Sequence, residues 1–185
     1  MMNNINEDKA VARLAEAVAQ EYVLHPDTVR RIGEAAELHD IGKLYIPKSI
    51  IYKPGKLTKD EFAVMKTHTL LGVQMLNCVQ GDLGIMAREI ALNHHEKWNG
   101  GGYWGRHADE LPFYVPIVTI ADIFIALISE RSYKAAWPCE KALEYIENQS
   151  GILFNPALVK NFLTLIQDKD RISAILNNNG TSTKT

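Results

Sequence analysis

The chain has 185 residues, 46% of them hydrophobic and 23% charged, with a formal net charge of −2. That balance suits one globular domain with a sizeable core. It supplies no basic field for duplex nucleic acid, although a small phosphate ligand needs only a few local cations.

Val11, Leu14, Ala15, Val18, Ala19 and Tyr22 recur at helical spacing and predict an amphipathic first helix from about Glu7. Before it, residues 1–10 are too polar for a signal peptide. Pro26 opens a second helix through Val29, Ile32, Ala36 and His39, and Gly42 is its expected stop, just after His39-Asp40. Residues 46–55 read as a connector with one helical turn around 49–52. Thr58-Lys59-Asp60-Glu61 is a capping box. The helix it opens carries Phe62, Met65, His68, Gly72 and Met75, with His68 on the buried face.

Residues 81–84 read as a turn, and a helix over 85–95 delivers His94 and His95. A glycine cluster at 100–102, Tyr103 and a polar loop over 104–111 follow. The next helix, 117–128, lies in the most apolar run of the chain, which is too short to span a bilayer and is broken by Asp122. Trp137-Pro138 starts a short helix through Ala142, Leu143 and Ile146. Asn155-Pro156 caps a last one through Phe162, Leu165 and Ile166 to about Leu176. Residues 177–185 read as a polar, disordered tail. No segment reads as a strand. The expected fold is all-α, a single-domain helical bundle of about seven helices over residues 1–176. Cys78 and Cys139 have neither metal-type nor disulfide-type spacing, which fits a reducing cytoplasm.

The chemistry concentrates in a few short stretches. His94-His95 puts nitrogen donors on neighbouring sides of one helical turn, an arrangement suited to two close metal ions. The glycines after it let backbone approach a ligand, and Tyr103 adds a flat ring with a hydroxyl. His39-Asp40 pairs an imidazole with a carboxylate whose second oxygen can bridge to another ion. Asp122 stands among Ile, Val, Phe, Ala and Leu, where burying an unpaired carboxylate costs several kcal/mol, so a cation is expected beside it. His39, Asp40, His68, His94, His95 and Asp122 form a nitrogen and oxygen donor set without cysteine. That set suits Fe, Mn, Zn or Ni rather than Ca or Mg. Six donors exceed what one catalytic zinc takes, so two ions sharing Asp40 is the economical reading. Lys43 is either a helix-terminal charge or a phosphate contact. Arg131 and Lys134, just after the Asp122 helix, read as phosphate clamps.

Taken in order, His39-Asp40-Ile41-Gly42-Lys43, Lys53-Pro54-Gly55-Lys56-Leu57-Thr58, Met65-Lys66-Thr67-His68, His94-His95-Glu96 and Gly100-Gly101-Gly102-Tyr103 resemble the HD-GYP family of the HD superfamily. Ile120-Ala121-Asp122, Arg131-Ser132-Tyr133-Lys134 and Phe154-Asn155-Pro156 continue the match. The resemblance implies an all-helical phosphodiesterase that hydrolyses a cyclic dinucleotide, chiefly cyclic di-GMP, by attack of metal-activated hydroxide on phosphorus. It implies two divalent ions, Fe or Mn first, with Zn or Ni also compatible. Carried over by position, the metal ligands are His39, Asp40, His68, His94, His95 and Asp122. Asp40 and Lys43 are the catalytic candidates, and Tyr103, Arg131 and Lys134 lie around the nucleotide.

The chain departs from the family pattern in its first helix, where a histidine ligand and an earlier glutamate are replaced by Glu7 and Asn3, which makes Glu7 an added candidate ligand. Asn99, Trp104 and Ile125 are further departures. Two alternatives therefore stay open: a module that binds a cyclic dinucleotide or a signalling partner without turnover, and another HD-type phosphohydrolase. The expected setting is cytoplasmic, with no membrane and no duplex nucleic acid, and with a homodimer or a signalling protein as a further partner.

Overall fold

The computed structural model describes residues 2–22, 24–130 and 135–177, and among these every regular element is helical. In chain order the α-helices are α1 (Met2–Gln20), α2 (Pro26–Ala36), α3 (Lys48–Ile51), α4 (Lys59–Lys66), α5 (His68–Met75), α6 (Gly81–Asn93), α7 (Tyr114–Ile128), α8 (Cys139–Asn148), α9 (Pro156–Ile166) and α10 (Lys169–Asn177). A 3₁₀ helix, Ile41–Tyr45, joins α2 to α3.

The most apolar helix occupies the centre. Val115, Val118, Ile120, Ala121 and Phe124 of α7 are buried around most of its circumference, as expected of a helix enclosed by others. Helix α1 packs its Val11, Leu14, Ala15 and Val18 stripe against α2 and α7. Phe162 of α9 meets Phe124 edge-on, with ring centroids 5.3 Å apart. No described helix is long and apolar enough to cross a membrane.

Several boundaries differ from the periodicity, each for a local reason. Helix α1 starts at Met2 rather than near Glu7, and α7 at Tyr114, with Pro116 tolerated in its first turn. The helix expected through His68 is two helices, broken where the Thr67 hydroxyl donates back to the Val64 carbonyl at 2.7 Å. Gly81 and Gly84 form no separate turn. Gly81, with φ +72°, opens α6, and Gly84 lies inside it where a Cβ would stand 1.9 Å from the Val79 carbonyl oxygen. The final helix is also two, α9 and α10. Asn177 closes α10, and the expected tail beyond it lies outside the described residues.

Gly42 sets a close approach between elements distant in sequence. It sits inside the 3₁₀ helix, where a Cβ would lie 1.9 Å from the His68 carbonyl oxygen and 2.5 Å from the Gly72 nitrogen. On the other side of α5, a Cβ on Gly72 would meet Ala91 at 3.2 Å. Small residues therefore let the His39-Asp40 turn, α5 and α6 approach almost backbone to backbone.

Candidate metal centre

That close approach brings side chains from distant parts of the sequence to one point. His39 and Asp40 leave the turn after α2, His68 opens α5, His94 and His95 follow α6, and Asp122 projects from α7. His39, His68 and His94 are all buried. Each donates its Nδ1 hydrogen to a carbonyl three or four residues earlier: His39 to Ala36 at 2.7 Å, His68 to Met65 at 2.7 Å, and His94 to Ile90 at 3.1 Å. These bonds fix the ring orientations and turn the Nε2 atoms toward the centre.

Asp40 is the hub. Its Oδ1 lies 3.4 Å from His68 Nε2 and 3.6 Å from His94 Nε2, and those two nitrogens are 3.4 Å apart. Its Oδ2 lies 3.4 Å from His39 Nε2 and accepts from the Lys43 ammonium. Oδ1 is a buried oxygen without a hydrogen-bond partner. A carboxylate oxygen and two imidazole nitrogens, all with lone pairs directed inward, repel one another unless a cation stands among them. Ligand bonds of about 2.1 Å at tetrahedral angles separate donor atoms by about 3.4 Å, so this triangle has the dimensions of donors sharing one ion.

The donors fall into two adjoining groups. Asp40, His68, His94 and His95 offer atoms within 4.8 Å of one another, and so do Asp8, His39 and Asp40. Asp40 belongs to both. Asp122 stands beside the second group, its Oδ1 3.7 Å from His39 Nε2, with its side chain 17% exposed. The first-helix acid that joins His39 and Asp40 is Asp8; Glu7, one position earlier, is in neither group. Sequence reasoning missed Asp8. It stands three before Val11 and seven before Ala15 on the inward stripe of α1, but Glu7 stands seven before Leu14, so periodicity does not separate the two.

The protein's own charges are arranged to receive cations. Burial opposes ionisation of Asp40, but Lys43 and His39 outweigh it and hold the carboxyl well below its usual range. Burial likewise opposes ionisation of Asp122, and its hydrogen bond and attraction to His39 reverse the effect and lower it. His39 is pulled down by burial yet carried well above its ordinary value by Asp40 and Asp122. Burial, aided by His94, pushes His95 well down, and burial brings His68 to about 4, so both are neutral donors near pH 7. Asp8 is pushed up to about 6, chiefly by burial.

Beside the donors lies a cavity of about 320 Å³, lined in part by His94, His95, Phe62, Lys66 and Tyr103. The Tyr103 ring lies 4.4 Å, centroid to centroid, from that of His95. Burial raises its phenol, which stays protonated and able to donate. The loop that carries Tyr103 is wound on Glu96, which the sequence motif includes without assigning it a role. Glu96 is 3% exposed and accepts from the backbone N–H groups of Trp104 at 2.7 Å and Arg106 at 2.9 Å. A Cβ on Gly102 would stand 2.5 Å from the Glu96 Cα.

Asn99, Trp104 and Ile125, which depart from the family pattern, have structural roles. Asn99 Oδ1 accepts from Gly101 N–H, and the Trp104 indole donates to Thr69 at 3.2 Å. Ile125 is buried in the core, not at the cavity. Arg131 and Lys134 lie outside the described residues.

Known proteins share both the sequence pattern and the fold. Residues 2–158 match the family model described as HD domain. A cyclic di-GMP phosphodiesterase response regulator, RpfG, of Xanthomonas campestris is 43% identical over 154 residues, covering 83% of this chain and 41% of that protein. A 3'3'-cGAMP-specific phosphodiesterase of Vibrio cholerae is 44% identical, covering 83% of this chain and 30% of that protein. The chain thus spans less than half the length of these curated relatives. Among solved structures, Bd1817, an HDG"Y"P protein from Bdellovibrio bacteriovorus, has the same fold with a TM-score of 0.69 at 19% identity, covering 87% of this chain and 51% of that one.

Proposed function

The chain belongs to the HD domain family, in its HD-GYP branch, and on that footing we propose that it is a metal-dependent phosphodiesterase hydrolysing a cyclic dinucleotide. The observation that carries this reading is Asp40, one carboxylate shared by two donor groups, with a buried oxygen that no protein hydrogen satisfies. In it, Asp40, His68, His94 and His95 hold one divalent ion, and Asp8, His39 and Asp40 hold a second with Asp122 beside it. Oxygen and imidazole donors without thiolate favour Fe or Mn, and remain compatible with Zn or Ni. Bound ions supply a water acidic enough to attack near neutral pH and neutralise charge developing on the phosphoryl oxygens.

The chain's own residues complete the chemistry. Lys43, held against Asp40, places a cation beside the centre for the leaving oxygen. Tyr103 offers its protonated hydroxyl and its ring to the nucleotide. Arg131 and Lys134, directly after α7, complete the contact with phosphate oxygens in this reading. Asp8 supports turnover over binding alone, because it fills the second donor group that Glu7 and Asn3 leave open in the sequence pattern. Cys78 and Cys139 are exposed and form no disulfide, which fits a reducing cytoplasm as the proposed setting.

The test is hydrolysis of cyclic di-GMP by protein loaded anaerobically with Mn(II) or Fe(II), products resolved by chromatography. The expected result is a linear dinucleotide or mononucleotide, formed by wild-type protein and not by Asp40→Asn. Fully loaded protein that cleaves no cyclic dinucleotide would overturn the proposal.

A further inference from the structure

We propose that Lys66 is a specificity-determining residue that reads the acceptor edge of a guanine base; this rests on the cyclic-dinucleotide reading above. Lys66 closes α4 and is half-buried on the cavity wall. Its ammonium lies 6.0 Å from the ring centroid of Phe62, 5.9 Å from Tyr103 and 5.6 Å from Trp104. Among the described residues it pairs with no carboxylate. Contacts at these distances are weak and satisfy none of the three N–H donors. A half-buried cation of this kind, facing a cavity, is built to meet an acceptor on a ligand.

The position of the cage indicates which part of the ligand that is. Phe62, on the cavity wall, is 44% exposed and stands at the mouth, with Trp104, 41% exposed, beyond it, whereas His94 at the floor is buried. A phosphate drawn to cations at the floor leaves the base, not the phosphate, at the mouth. Phe62 and Tyr103 provide the apolar surface against which its face can lie.

The polarity of the wall then selects the base. Both Glu96 oxygens already accept backbone N–H groups, and the Thr119 hydroxyl donates to the His94 and Val115 carbonyls at 3.1 Å. The cations on this wall are ammoniums, Lys66 and the more exposed Lys97, which can only donate, and the Tyr103 hydroxyl beside them can turn its hydrogen to an acceptor. Guanine presents N7 and O6, two adjacent acceptors, while adenine replaces the second with an N–H₂ donor. A group with donors only gains both contacts with guanine and opposes the amino group of adenine.

The experiment compares kcat/KM for cyclic di-GMP, cyclic di-AMP and cyclic di-IMP, the last of which keeps the O6 and N7 acceptors. In wild-type protein, cyclic di-GMP and cyclic di-IMP are expected to be preferred over cyclic di-AMP. Lys66→Met should lower kcat/KM about 10-fold or more for the two substrates with O6, mainly through KM, because one good base contact is worth about 1–3 kcal/mol. The value for cyclic di-AMP should rise as the opposing ammonium is removed, and Lys66→Arg should keep the preference. Equal losses for all three substrates would overturn the inference and assign Lys66 to phosphate or to structure. If Lys66→Met does not fold, the wild-type comparison still decides: adenine cleaved as well as guanine and hypoxanthine overturns the inference alone. Cleavage of none by metal-loaded protein overturns the phosphodiesterase reading, and this inference with it.

Discussion

Asp40 carries more of the site than any other residue, because its two oxygens face two different sets of donors. Loss of a residue that merely orients a ligand costs about 10–100-fold in metal affinity, so removing the shared ligand should exceed the upper end of that range. Asp40→Asn is therefore expected to bind neither ion tightly, checked by elemental analysis after gel filtration. Asp8 allows a prediction of opposite sign. Its folded value of about 6 lies above the ordinary 3.8, so the fold prefers the protonated form. Its contribution is complete below the unfolded value and is lost as pH rises through 6. In chelator at pH 7.5, Asp8→Asn should thus be more stable than wild type by about 1–2 kcal/mol after allowance for partial exposure. At pH 4 the two should unfold together in denaturant titrations. In saturating metal the order should reverse, since the variant holds one ion fewer. That residues 39, 40, 68, 94, 95 and 122 form one donor set is legible from the order of their motifs rather than from residue type, since His25 and His107 stand outside it. Asp8 is not, since which of two adjacent acids points inward depends on the roll of α1 against α2.

At the scale of the element, the site depends on helices brought closer than most side chains allow. Gly42→Ala places a methyl group against the backbone of α5, where neither the His68 carbonyl nor the Gly72 nitrogen can rotate away. Overpacking usually costs about 1–3 kcal/mol. Here the strain falls on the spacing between Asp40 and His68, so metal affinity should fall together with the melting temperature while far-UV circular dichroism stays helical. A variant that loses stability but binds metal as tightly as wild type would contradict this role for Gly42. Local signals are legible where they are strong. The Thr58 capping box forms with both of its hydrogen bonds, and Pro26 and Pro156 open α2 and α9. Glycines mislead, because a glycine required by a close approach looks the same in sequence as one that ends a helix. Gly42 and Gly84 are both of the first kind.

For the molecule as a whole, the proposed metal centre couples metal binding to folding. Burial of Asp40, Asp122 and three imidazoles beneath α7 opposes folding unless charges are matched within the cluster, and His39 supplies part of that match itself. An ion taken up at His39 must displace the proton that Asp40 and Asp122 hold there. Titration calorimetry in buffers of different ionisation enthalpy should accordingly report proton release on metal binding near pH 7. The melting temperature should rise with metal concentration, by the equivalent of about 2.7 kcal/mol at 100 times the dissociation constant. The all-helical architecture is legible from periodicity, since α7 is apolar on almost every side and can only be a core. Which helices meet around it depends on packing that no local pattern records.

The most direct measurement is the number of ions per chain in protein reconstituted anaerobically with Mn(II) and freed of excess metal. Two adjoining donor groups that share Asp40 predict two ions in wild type, one in Asp8→Ala and none in Asp40→Ala. A single ion in wild type, unchanged in Asp8→Ala, would contradict the account.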